Sequence, residues 1–307
     1  MNNITELSIA MEPAVDTLLC DEQLELLRQA GITVLAVPPS FYDLEPALIR
    51  QRFGVLTRMG FQIDTCHPPY GGGNHANSLC AEDEQVRQAA IAMWQHYLRR
   101  FALTGMRAVP VHTGGAMHPM AGEKAMDRLT DSLRHILPDA KASGVVLALE
   151  NTFYENPCPF SDAKRPSGIA QERLNDDCGM LGAYVMQWRE PAIRICHDTG
   201  HSVLFGHTLE ADLAQLAQLT VLYHIHDNDG IHDRHWNVGE GCFAWQTLVD
   251  SLVERAFPYP LYDEVLGEKD TSLKAVIKQP ERVAAHYLAA QKVIKRCLQH
   301  HQEDVYA

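Results

Sequence analysis

No run of about eighteen apolar residues occurs in the chain, so no membrane-spanning helix is expected. Lys and Arg never gather into a stripe, and the formal net charge is −13. Counterion release on a nucleic-acid backbone needs clustered cations, so duplex DNA or RNA is not an expected partner. The eight cysteines are scattered, without a CxxC pair, which reads as reduced thiols in a cytoplasmic protein. Met1 to Ala10 has no basic start and no long apolar stretch, so no signal peptide is expected. Aromatic content is modest, at 7%, but 46% of the 307 residues are hydrophobic, enough to bury a full core.

What the chain does have is a dense polar stretch from Ile193 to Gly241: IRICHDTGH, then VLYHIHDNDGIHDRH, then WNVGEG. Seven of the sixteen histidines fall there, with Asp198, Asp227, Asp229 and Asp233. Two apolar, β-branched pieces, Ile193 to Cys196 and Val221 to Ile225, run straight into these imidazoles and carboxylates. A strand end is rigid and the loop after it is open, which suits ligands for a divalent cation.

The rest of the chain alternates short apolar runs with amphipathic segments. Strands are expected at Leu7–Met11, Thr33–Val37, Gln62–Cys66, Arg107–Val111, Val145–Leu149, Ile193–Cys196, Val221–Ile225 and Pro260–Asp263. Helices are expected at Asp21–Ala30, Leu44–Met59, Glu82–Leu103, Glu123–Ala142, Gln171–Trp188, Leu209–Leu219, Phe243–Arg255 and Arg282–Leu298. Eight evenly spaced strand–helix units predict an α/β fold, a (β/α)₈ TIM barrel, as one domain over residues 1–307. The glycine-rich loop Gly71 to Asn77 and the polar insertion after Phe153, running to about Gly168, are expected lids.

Six successive strands then end in a chelating residue: His67, His112, Glu150, Asp198 with His201, His226 with Asp233 and His235, and Glu264. The barrel would bring them to one rim, the C-terminal face. Histidines and carboxylates without cysteine suit Zn²⁺, Mn²⁺, Co²⁺ or Fe²⁺ alike.

The motifs LALEN, ICHDTGH, HIHDND, DRHWNVGEG and PLYDE resemble the xylose isomerase-like barrel superfamily, which holds the sugar phosphate isomerases and epimerases and the endonuclease IV repair enzymes. Resemblance to the epimerase branch implies a single metal on Glu150, Asp198, His226 and Glu264, with Glu150 and Glu264 exchanging a substrate proton. Resemblance to endonuclease IV implies up to three ions and adds His67, His112, His201, Asp233 and His235. His224, two residues before His226, is expected behind the ligands, and with His201 it would contact substrate hydroxyls. The first strand, ELSIAME, lacks the His-x-Ser-x-x-Gly-Gly start of the repair enzymes, and the loop from His226 to Asp233 is shorter than theirs. The expected function is therefore a metal-dependent isomerase or epimerase of a sugar, sugar phosphate or sugar acid. The alternative is a multinuclear phosphodiester or phosphate-ester hydrolase. A carbohydrate-like partner is expected, and homo-oligomerisation is left open.

Overall fold

The computed structural model describes residues 7–10, 21–68, 70–71, 74–75, 79–117, 121–154, 174–175, 177–204, 208–264 and 280–306. Eight parallel strands form one sheet: β1 (Leu7–Ala10), β2 (Val34–Val37), β3 (Gln62–Cys66), β4 (Ala108–His112), β5 (Val146–Glu150), β6 (Ile193–Asp198), β7 (Thr220–Ile225) and β8 (Leu261–Asp263). They pair in the order β3-β2-β1-β8-β7-β6-β5-β4. The two end strands meet where the Arg107 amide, just before β4, donates to the carbonyl of Asp64 in β3 at 3.3 Å. The chain is a (β/α)₈ barrel.

The helices between successive strands are α1 (Asp21–Gln29), α2 (Ser40–Asp43), α3 (Pro46–Arg58), α4 (Glu84–Phe101), α5 (Glu123–Ser143), α6 (Cys178–Trp188), α7 (Thr199–Val203), α8 (Leu209–Leu216), α9 (Trp245–Glu254) and α10 (Pro280–Tyr306). Their starts follow ordinary capping chemistry. Asp83 accepts from the amides of Gln85 and Val86, Asp177 from Met180 and Thr208 from Ala211. The main core lies between strands and helices, with Trp94, Tyr42, Phe61 and Phe101 fully buried. Burying each large side chain contributes roughly 1.5–3 kcal/mol. A second, smaller cluster fills the barrel interior: Ala36, Ala148, Cys196, Leu222 and Tyr262.

Several boundaries differ from those expected from sequence. The helix expected over Leu44–Met59 runs Pro46–Arg58, because Pro46 leaves Glu45 extended (ψ 138°), and the short α2, which was not expected, precedes it. The helix expected from Gln171 begins at Cys178. Leu174–Asn175 pairs instead with Phe153–Tyr154 as a short antiparallel hairpin. The closing helix runs to Tyr306, past the expected end at Leu298. Three strands reach one or two residues further than expected, so His112, Glu150 and Asp198 are themselves strand residues. The short helix α7 was not expected, and it is capped by Asp198, whose Oδ1 accepts from the His201 amide at 2.8 Å.

Of the two expected lids, only the hairpins Tyr70–Gly71/Asn74–His75 and Phe153–Tyr154/Leu174–Asn175 fall among the described residues. The remainder of both segments lies outside them. No described helix is long and apolar enough to cross a membrane. The six described cysteines, Cys66, Cys80, Cys178, Cys196, Cys242 and Cys297, are free thiols.

Candidate metal centre

In parallel pairing, residues in register point the same way, so the strand register dictates which side chains share the barrel mouth. His112 stands beside Glu150, Asp198 beside His224, and His224 beside Tyr262. Glu264 follows β8 directly, and its amide is tied to the carbonyl of Ile225. His112, Glu150, Asp198, His224 and Glu264 therefore form one ring of polar groups over the apolar interior cluster. All are buried except His112, which is partly exposed.

At the middle of this ring is His224. Its Nδ1 is 3.0 Å from Glu264 Oε2, 3.6 Å from Glu150 Oε2 and 3.7 Å from Asp198 Oδ2. Neither ring nitrogen makes a hydrogen bond, although the side chain is fully buried. Leaving a polar group like this costs about 1–3 kcal/mol. Three carboxylates and an imidazole aimed at one point fit a divalent cation, which would satisfy the nitrogen and neutralise the carboxylates together.

His226 occupies a different place. Its Nε2 lies 3.1 and 3.2 Å from the two oxygens of Asp198, and its ring stacks on His235 with centroids 4.0 Å apart. Gly200 makes the room: a Cβ there would meet His226 Cε1 at 1.8 Å. His235 adopts a left-handed backbone (φ 49°), a strained choice for a residue with a Cβ. Its Nδ1 faces the Glu264 carbonyl and its Nε2 faces Asp233 Oδ2, each at 2.9 Å, so both nitrogens donate and the ring is a cation. Burial alone would lower its pKa, but Asp233 outweighs burial and raises it to about 10. Asp233 is correspondingly held at about 2: burial opposes this, and the His235 charge and hydrogen bond overcome it.

The remaining histidines are set by backbone carbonyls. His201 Nδ1 donates to the Asn151 carbonyl at 2.8 Å, and its Nε2 lies 3.9 Å from Asp233 Oδ2. His67 Nδ1 donates to the Pro68 carbonyl at 3.2 Å, and its Nε2 lies 3.4 Å from Glu264 Oε1. His112 Nε2 lies 3.6 Å from Glu150 Oε2. Burial is the leading cause that lowers the pKa of His67, to about 4, and that of His112 as well, so both are neutral near pH 7. Every residue singled out from sequence is on this face. They fall into overlapping groups of donors within 4.8 Å of one another: His67–His112–Glu150, His67–His224–Glu264, Asp198–His201–His226 and His226–Asp233–His235.

Other residues carry the site without facing it. Asn151 is a clamp between strand ends, accepting from the Asp198 amide at 2.7 Å and donating to the Asp198 carbonyl at 2.9 Å. Asp227, part of the dense polar stretch, turns away from the ring. It accepts from the amides of Asn228, Gly239 and Phe243 and from the Trp245 indole, and so pins the loop after β7. Asp229 pairs with His232 and Arg234 at the surface. A carboxylate after two histidines carried no sequence signal separating these structural roles from ligation.

No curated protein sequence matches the chain. Among solved structures, it is similar to a D-tagatose 3-epimerase-like protein at 17% identity, with 97% of this chain and 100% of that one covered and a TM-score of 0.66. It is also similar to L-ribulose 3-epimerase (15% identity, 98% and 96% covered, TM-score 0.69). D-psicose 3-epimerase from Clostridium cellulolyticum is a third (13% identity, 95% and 99% covered, TM-score 0.67). At these identities the likeness speaks for the fold. The sequence profile described as xylose isomerase-like TIM barrel matches residues 24–290, and with the barrel and its polar rim in view, the chain belongs to the xylose isomerase-like TIM barrel family.

Proposed function

We propose that this protein is a divalent-cation-dependent isomerase or epimerase of a sugar or sugar derivative, moving a proton at the carbon beside a carbonyl. The observation that carries this reading is the convergence of Glu150, Asp198 and Glu264 on His224, a fully buried imidazole with no hydrogen bond. Similarity to structures titled as sugar 3-epimerases supports the reaction class. We assign His224, in place of His226, to the ligand set with Glu150, Asp198 and Glu264. The reason is distance: His224 Nδ1 lies within 3.7 Å of all three carboxylates, whereas the acidic neighbours of His226 Nε2 are Asp198 and Asp233. A bound cation supplies Lewis-acid polarisation of a carbonyl and its neighbouring hydroxyl.

The chain's own groups then handle the proton. Glu150 leaves β5 and Glu264 follows β8, so the two carboxylates reach the ring from non-adjacent strands. One removes the proton from carbon and the other returns it, as stereochemical inversion requires. Neutral His112 beside Glu150 and neutral His67 beside Glu264 offer each glutamate a hydrogen-bonding neighbour. His201, whose ring is oriented by the contact of Nδ1 with the Asn151 carbonyl, stands where it can meet a substrate hydroxyl.

A second reading is a multinuclear ester hydrolase, favoured by the donor groups around His226, Asp233 and His235 and around His67, His112 and Glu150. The test uses candidate ketoses and phosphate esters in isotopically labelled water. An isomerase or epimerase incorporates deuterium at the carbon beside the carbonyl and binds one ion per chain in elemental analysis. Solvent oxygen in released phosphate, with no exchange at carbon and two or three ions, would replace the first reading with the second.

A further inference from the structure

Below the ring of ligands, the barrel interior holds one group with coordination chemistry of its own. Cys196 lies on β6 two residues before Asp198, so both side chains face the barrel axis. It stands in register with Glu150 of β5 and Leu222 of β7, and the β6–β7 pairing shifts between Ile195 and Cys196. The thiol is fully buried, packed with Ala36, Ala148, Leu222 and Tyr262. As a small apolar side chain it would suit that cluster and nothing more. Its position is more specific. The Cys196 sulfur, a Glu150 carboxylate oxygen and a His224 ring nitrogen all lie within 4.8 Å of one another. Zinc–sulfur bonds are about 2.3 Å and zinc–nitrogen or zinc–oxygen bonds about 2.0–2.2 Å, in tetrahedral geometry. Around a tetrahedral ion such donors stand roughly 3.5 Å apart, so the grouping would need to contract by at most about 1 Å to close on one. The unpartnered imbalance at His224, whose two nitrogens are buried without hydrogen bonds, points into the same space.

We propose that Cys196 is a further ligand of this centre, joining Glu150 and His224 from inside the barrel and biasing the site toward zinc and cobalt over manganese and magnesium. The inference rests on the centre assigned above. Ligation breaks the S–H bond and releases its proton to buffer, and a sulfur lone pair forms the bond to the ion, so nothing is oxidised or reduced. The bias follows from softness: thiolate favours zinc and cobalt, while carboxylate and carbonyl oxygens suit magnesium and manganese.

The test is cobalt absorption of the full-length protein, freed of bound ions by a chelator and titrated with Co²⁺. The expected spectrum combines visible d–d bands with a near-ultraviolet sulfur-to-cobalt charge-transfer band, both saturating together. Cys196→Ser should abolish the charge-transfer band and keep the d–d bands, and should weaken zinc binding on the order of ten- to a hundredfold, with a smaller change for manganese. Cys196→Ala repeats the experiment without a buried hydroxyl, and circular dichroism of both variants reports folding. Cobalt d–d bands without a sulfur band in the unaltered protein would overturn the role of Cys196 and leave the four-residue centre standing. A sulfur band that persists in both variants would overturn it as well. Failure of the unaltered protein to take up cobalt or zinc would overturn the centre itself, and the ligand with it.

Discussion

The two ends of the barrel are both polar, and they differ in how their polar groups are satisfied. At the N-terminal end, Arg107 meets Asp64 in a two-pronged ion pair at 3.0 and 3.1 Å. A third nitrogen of the same guanidinium donates to the Val221 carbonyl at 2.6 Å, and the Tyr259 ring lies 4.0 Å away. Each charge there has its partner within the protein. At the C-terminal end the imbalance is deliberate in effect: three carboxylates surround an imbalanced His224 that has no hydrogen bond. An internally closed network stabilises the barrel, whereas an open one stores affinity for something absent from the chain. Position in the fold agrees, since the N-terminal face of such barrels is structural and the C-terminal face reactive.

Six substitutions break or sharpen this contrast. The largest effect is expected at the mouth: Glu150→Gln or Glu264→Gln should lower turnover of an active sugar substrate by about 10²–10⁴-fold, because an amide carries no proton near neutral pH. The melting temperature of either variant should barely move, and a large drop would make these glutamates structural. At the opposite end, Asp64→Ala strands a mostly buried guanidinium and should cost roughly 3 kcal/mol in urea denaturation. Turnover per folded molecule should stay unchanged there, and its loss would erase the division between the ends.

Smaller again is the difference between neighbouring histidines. His224→Gln should weaken zinc binding by calorimetry on the order of ten- to a hundredfold, while His226→Gln should leave it nearly intact. Equal losses would return His226 to the ligand set. Last is the clamp: Asn151→Ala removes two hydrogen bonds to the Asp198 backbone and should cost about 1–2 kcal/mol in denaturation experiments. A change in ion affinity alone, with stability untouched, would move Asn151 from scaffold to site.

Much of this was legible before any coordinates. Short β-branched runs followed by capped helices with a closing glycine are local patterns. Gly144, for example, ends α5 at φ 72°. Boundaries slipped where a single local feature competed with the pattern, as at Pro46, which starts α3 two residues later than periodicity alone placed it. The candidate ligands were legible as a set because each follows or ends a strand, and a barrel gathers strand ends.

Their division of labour was not legible. His224 and His226 share a strand face by alternation, yet only His224 has Glu150, Asp198 and Glu264 all within 3.7 Å of one nitrogen. Which carboxylates each imidazole meets depends on the register of β7 against β6 and β8, which no segment encodes alone. Asp227, one of the aspartates of the dense polar stretch, is held by the amides of Gly239 and Phe243 and the Trp245 indole, partners more than ten residues away. The amino-acid pattern by itself determined eight strand–helix units and the chemical inventory of their ends, because periodicity and capping act within a few residues. Only the closed barrel decided which of those groups face one another and which pair internally. Those outcomes depend on distances between strands far apart in the chain.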